Sequence, residues 1–129
     1  MYIADTSSLY ALFSEDDVHH TEARDLVSKS ENIYIPSDIW SETISLIHYR
    51  QGYEQAVRSG KALLDLPHVD LLASRMDIVQ TSWEVYRRSD GNLSFPDCVV
   101  LTWCDDKNAE PLTFDKHIND YYREMIDNE

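Results

Sequence analysis

Apolar and polar positions along this chain fall into short blocks whose period switches between that of a strand and that of a helix. Met1–Ala4 is an apolar run that predicts a first strand, and Ser7–Phe13, with Leu9, Leu12 and Phe13 apolar, predicts a helix behind it. Glu15-Asp-Asp breaks the pattern, and His20–Ser30 resumes it with Ala23, Leu26 and Val27 at helical spacing. Ile33–Ile35 predicts a second strand, ended by Pro36. Ser37 or Asp38 is then placed to cap a helix to about Gln51, with Trp40, Ile44 and Ile47 on one face and Gly52 at its end.

A helix over Tyr53–Leu66 follows, carrying Val57, Leu63 and Leu64, and Val69–Leu72 predicts a third strand. Met76–Arg88 is helical, with Ile78, Val79, Trp83 and Tyr86 apolar, and Asp90-Gly-Asn stops it. Pro96 suits the first turn of a helix from near Ser94 to near Cys104, where its missing N–H would go unpaired anyway. Pro111–Phe114 predicts a fourth strand and Ile118–Ile126 a last helix. Strands alternating with helices predict an α/β domain: a central, mainly parallel sheet of four or five strands flanked by helices. At 129 residues the chain predicts one such domain over its whole length.

Composition narrows the function classes. The chain is 43% hydrophobic, yet has no apolar run near the ~20 residues of a membrane span, and no basic segment with a long apolar core opens it. Cys98 and Cys104 share one predicted helix and are poorly placed to bridge each other, which fits reduced thiols of a cytoplasmic protein. The net charge is −13, from 24 acids against 11 bases. That argues against a protein that holds nucleic acid by a basic surface, but not against an enzyme whose bound cations bring the positive charge.

Four acids stand out by position. Asp5 closes the first strand and Asp115 the fourth, while Glu42 and Asp97 fall in the opening turns of two helices. In a parallel sheet, strand C-termini and the helix N-termini that follow share the ligand-binding edge. Carboxylates gathered there suit hard divalent cations. Each also has a structural explanation: Asp5 as an N-cap, Glu42 and Asp97 as partners of a helix dipole, Asp115 as a turn residue. Thr6, Ser7 and Thr113 are hydroxyls placed to orient the carboxylates.

Five blocks in register, over essentially the whole chain, resemble the PIN-domain ribonucleases, in particular the small toxins of VapBC-type toxin–antitoxin pairs. They are Ile3-Ala-Asp-Thr-Ser-Ser-Leu-Tyr-Ala-Leu-Phe, His19-His-Thr-Glu-Ala, Ser41-Glu42 inside an apolar helix, Leu93-Ser-Phe-Pro-Asp-Cys and Leu112-Thr-Phe-Asp. The resemblance implies that Asp5, Glu42, Asp97 and Asp115 bind one or two Mg²⁺ or Mn²⁺ ions and that Thr113 is the hydroxyl beside the last acid. It implies hydrolysis of RNA phosphodiesters, with transfer RNA as one candidate target, a small antitoxin partner that pushes Arg or Lys into the cluster, and a homodimer. The helices Ser37–Gln51 and Tyr53–Leu66 offer apolar residues for a dimer interface. The chain departs from the family pattern at Lys116-His-Ile, which leaves Asp115, ahead of Asp120, as the late acid.

Other signals point elsewhere or nowhere. His19-His20 has no Cys or spaced His partner and reads as surface, and Trp40, Trp83 and Trp103 read as core. Arg87, Arg88, Lys107 and Lys116 would line an RNA path only if they cluster. A phosphoaspartate phosphatase would want Asp-x-Asp where this chain has Asp5-Thr-Ser, and a receiver domain would want paired acids there. The alternative to a ribonuclease is a PIN-like fold kept as a non-catalytic interaction module.

Overall fold

In the computed structural model, which describes residues 1–128, strand and helix alternate. The order is β1 (Tyr2–Ala4), α1 (Thr6–Phe13), α2 (His20–Lys29), β2 (Ile33–Pro36), α3 (Ser37–Gln51), α4 (Tyr53–Asp65), β3 (Val69–Leu72), α5 (Met76–Arg88), α6 (Phe95–Lys107), β4 (Glu110–Leu112) and α7 (Lys116–Asp127). The strands form one sheet in the order β3-β2-β1-β4, and every pairing is parallel. Among the described residues, no helix is long and apolar enough to cross a membrane.

The expected architecture is therefore present, with four strands. β1 is flanked on both sides, and Ile3 and Ala4 are fully buried, as are Ile33 and Ile35 on β2. Continuous apolar strands of this kind are what a sheet covered on both faces requires. Each fully buried Ile or Leu contributes about 1.5–3 kcal/mol by leaving water. β3 lies at one edge, and its Leu71 is exposed.

β4 is shorter than the predicted Pro111–Phe114. Its ladder with β1 ends at Ala4↔Leu112, because β1 offers no partner beyond Ala4. Thr113 and Phe114 leave the sheet and bond side chains of α1 and its cap instead. Pro111 is tolerated because Glu110 N bonds Met1 O at 3.1 Å and Asp5 N bonds Leu112 O at 3.2 Å. Its missing N–H thus falls on the open side of an edge strand.

α6 is the buried central helix. Every residue from Cys98 to Cys104 is buried, as expected of a helix apolar on all sides, and both cysteines are free. α6 ends at Asn108 in the left-handed conformation (φ 53°) and leads directly into β4. It therefore runs back along the sheet and begins at the carboxyl edge of the strands. α5 packs on it through Ile78 and Ser82, whose hydroxyl lies 3.1 Å from Thr102 Oγ1. Trp103 is buried and Trp40 half-buried, but Trp83 is 53% exposed. The small Ser82 takes the facing position on α5 and leaves the neighbouring Trp83 on the outside, 5.9 Å from Tyr86.

α3 and α4 cross closely at Gly60. A Cβ there would come within 3.1 Å of Ile44 Cδ1 and 3.2 Å of Trp40 Cη2. Gly52, at φ 96°, provides the turn between them.

Candidate active site at the carboxyl edge of the sheet

The chain runs from β1 to β2 to β3 in one direction and returns to place β4 on the other side of β1. The order thus reverses between β1 and β4, and a crevice at the carboxyl ends of such strands is where open α/β sheets bind ligands. Asp5 is the first residue after β1, and Thr113 the first after β4.

Asp5 is the N-cap of α1 and is 4% exposed. Its Oδ1 accepts from Ser8 N at 2.9 Å, Ser7 Oγ lies 2.9 Å from each carboxylate oxygen, and Thr113 Oγ1 donates to Oδ2. Burial pushes the Asp5 carboxyl above its usual range, and the donors Thr113, Ser8 and Ser7 offset part of that rise. Desolvation dominates.

Asp115 is the N-cap of α7, with Oδ1 accepting from His117 N at 2.8 Å and Ile118 N at 3.4 Å. Its own N–H donates to Thr113 Oγ1 at 3.0 Å. Thr113 thus links the two acids, accepting from one and donating to the other. Asp120 is exposed on α7, more than a turn further on.

Glu42 lies in the second turn of α3, one or two positions further in than expected, and the acid in the first turn is Asp38. That weakens the dipole explanation, which acts within the first turn. Neither Ser37 nor Asp38 caps α3: Pro36 takes that place with no side-chain hydrogen bond. Glu42 Oε1 accepts from Thr6 Oγ1, which ties it to the residue next to Asp5.

Asp97 sits in a capping box on α6. Ser94 Oγ accepts from Asp97 N at 3.3 Å, and Asp97 Oδ2 accepts from Ser94 N at 3.0 Å. Among the described residues no hydrogen bond falls on Oδ1.

One network therefore joins Asp5, Thr113 and Asp115, Glu42 adjoins it through Thr6, and Asp97 shares the edge by the direction of α6. Three of the four acids are helix caps as well. As they stand, no three His, Cys, Asp or Glu among the described residues are grouped closely enough to hold a metal ion. None of the four forms an ion pair with Lys, Arg or His among the described residues. Of the late bases, Arg87 pairs with Glu84 at 2.7 Å and Lys107 lies over the Tyr34 ring, while Lys116 directly follows Asp115 at the start of α7.

Three features escaped the sequence. Ser8, third after Asp5, completes the α1 cap; the Asp-x-x-Ser spacing was the available signal. His20, expected at the surface, is half-buried, with Nδ1 2.7 Å from Ala11 O. His19 stacks on Phe114 with ring centroids 4.3 Å apart and planes 3° from parallel. No local pattern signals a contact between residues so far apart.

No curated protein matches the sequence. Among solved structures, the fold is similar to that of Mycobacterium tuberculosis VapC20, a toxin that cleaves the sarcin–ricin loop, with TM-score 0.83, 24% identity and coverage of 94% of this chain and 95% of that one. A toxin–antitoxin complex from Klebsiella pneumoniae gives TM-score 0.70 at 22% identity, covering 89% of this chain and 87% of that one. VapBC2 from Rickettsia felis, bound to a DNA fragment from its promoter, gives 0.67 at 14%, covering 88% and 87%. At these identities the likeness is one of fold. A family model for the PIN domain matches residues 2–124, and with this fold it places the chain in the PIN-domain family.

Proposed function

We propose that this protein is a divalent-metal-dependent endoribonuclease that hydrolyses RNA phosphodiester bonds, and that it is the toxin of a toxin–antitoxin pair. The observation that carries this is the buried Asp5, fixed by Ser7, Ser8 and Thr113 at the strand-order reversal, with Glu42, Asp97 and Asp115 at the same edge. The neighbour from Klebsiella pneumoniae, a toxin–antitoxin complex, and VapBC2 from Rickettsia felis favour the same role.

The donors fit a hard cation: they are all oxygens, and the acids lack basic partners among the described residues. One or two Mg²⁺ or Mn²⁺ ions, held by Asp5, Glu42, Asp97 and Asp115, would supply a more acidic water and charge stabilisation at the phosphate. The chain's own contribution is orientation. Ser7 and Ser8 fix the Asp5 carboxylate, Thr113 sets the distance between Asp5 and Asp115, and Thr6 aims Glu42. Glu42 is exposed and Asp97 and Asp115 are half-buried, so an extended polymer can reach them. No protein nucleophile is required.

A small antitoxin is the natural partner of so acidic a chain, presenting Arg or Lys to the cluster. The exposed Tyr53, Val57 and Leu64 on α4 support a homodimer. The buried, unpaired Cys98 and Cys104 suit the reducing cytoplasm. The capping roles of Asp5, Asp97 and Asp115 favour the second reading, a non-catalytic interaction module.

Cleavage of a panel of structured RNAs, transfer RNA included, separates the two readings. Purified protein would be assayed with Mg²⁺, with Mn²⁺ and with chelator, beside Asp97→Asn. Metal-dependent cutting lost in the variant is the expected result. Absence of both cutting and calorimetric Mn²⁺ binding would leave the interaction module.

A further inference from the structure

We infer that the His19–Phe114 stack is a base-binding platform, which holds an unpaired nucleobase of the RNA beside the acidic site; this rests on the ribonuclease reading. Phe114 lies between Thr113 and Asp115, and its N–H donates to Ser7 Oγ at 3.2 Å. The ring is therefore anchored by the residues that orient Asp5. His19 is anchored independently, with its N–H on Asp17 Oδ1 at 2.8 Å and its carbonyl accepting Ala23 N at 2.8 Å. The two rings meet face to face at 4.3 Å and 3°.

Phe114 covers one face of the imidazole. The His19 side chain is still 43% exposed, with Glu22 Oε2 3.8 Å from Nδ1. A flat ring backed by another and still partly exposed is what single-stranded RNA recognition uses: splayed bases stack on Phe, Tyr, Trp or His. Stacking also needs no positive charge. On a chain of net charge −13, the usual phosphate-neutralising contribution to RNA affinity is weak. Contacts with the neutral faces of bases gain weight accordingly. The two anchored backbones keep the platform formed before RNA arrives, which limits the ordering cost of binding.

The test uses a single-stranded oligoribonucleotide with 2-aminopurine, whose fluorescence falls when the base stacks, in Ca²⁺ to slow turnover. It is paired with steady-state cleavage of whichever RNA the panel identifies. Wild type should bind and quench the probe. His19→Ala should abolish the quench and raise KM about tenfold, the scale of one lost base–aromatic stack, with kcat within about twofold. His19→Tyr should restore both. An unchanged quench and KM in His19→Ala, with wild type cutting RNA, would overturn the platform and leave the ribonuclease reading standing. A lower kcat with a lower melting temperature and unchanged KM would also overturn it, making the stack a loop clip. If wild type neither binds nor cuts any RNA, both readings fall together.

Discussion

Thr113 Oγ1 donates to Asp5 Oδ2 across 108 positions of sequence and accepts the Asp115 N–H at 3.0 Å. One hydroxyl thus sets the spacing of two candidate ligands. Thr113→Val, nearly isosteric, should cost about 1–3 kcal/mol of stability by leaving a buried carboxylate short of a donor. Thr113→Ser should recover most of it. Urea unfolding of the three proteins decides; equal stability for Val and Thr would mean that Ser7 and Ser8 suffice.

The raised Asp5 carboxyl has a stability consequence. The folded chain holds this proton more tightly than the unfolded one, so stability falls as pH rises from the ordinary value of 3.8 through the folded one. The cost is largest above the folded value. Asn at this position can still cap α1 without carrying a charge. In chelator at pH 7, Asp5→Asn should therefore melt above wild type, with the gap closing as pH is lowered. A lower melting temperature for the variant at pH 7 would show that the donors outweigh the burial.

Metal should reverse that order. An ion that binds only the folded state stabilises it by about 2.7 kcal/mol at a hundred times its Kd. Titrating Mn²⁺ should raise the wild-type melting temperature and leave Asp5→Asn where it was. Equal shifts in both proteins would place the ion elsewhere.

At α6 the capping role and the proposed catalytic role can be separated. Ser94→Ala breaks the capping box and should cost about 1 kcal/mol while sparing cleavage. Asp97→Asn should cost less than about 1 kcal/mol and reduce cleavage to the level seen with chelator. A variant Asp97→Asn that still cuts RNA would return Asp97 to a purely structural role.

Burial pushes the Cys98 thiol up to about 11 and Cys104 higher still, with the neighbouring acids adding to each. Neither is a thiolate at neutral pH. Iodoacetamide at pH 8 should leave both unmodified in the folded protein and label both in urea, as read by mass spectrometry. Rapid labelling of the native chain would mean that α6 opens.

The elements were legible because helix and strand periods are local, and Asp5 was legible because it ends an apolar strand. The ends of elements depended on partners. Phe114 reads as strand, but β1 stops at Ala4 and Ser7 takes the Phe114 N–H instead. Trp83 reads as core because periodicity marks an apolar face without showing that Ser82 is the residue in contact with α6. The link from Thr6 to Glu42 and the stack of His19 on Phe114 join segments far apart in sequence, where no periodicity reaches.

The parallel pairing of β1 with β4 also fixes when a site can exist during translation. At about 5–20 residues per second, the codon for Thr113 is read roughly 5–20 s after that for Asp5. Until then β1 has β2 on one side but not β4 on the other, and the carboxylate lacks its threonine donor. A nascent chain, or one cut short before β4, would carry Asp5, Glu42 and Asp97 without Thr113 and Asp115, so synthesis itself would postpone completion of the cluster until the last strand emerges.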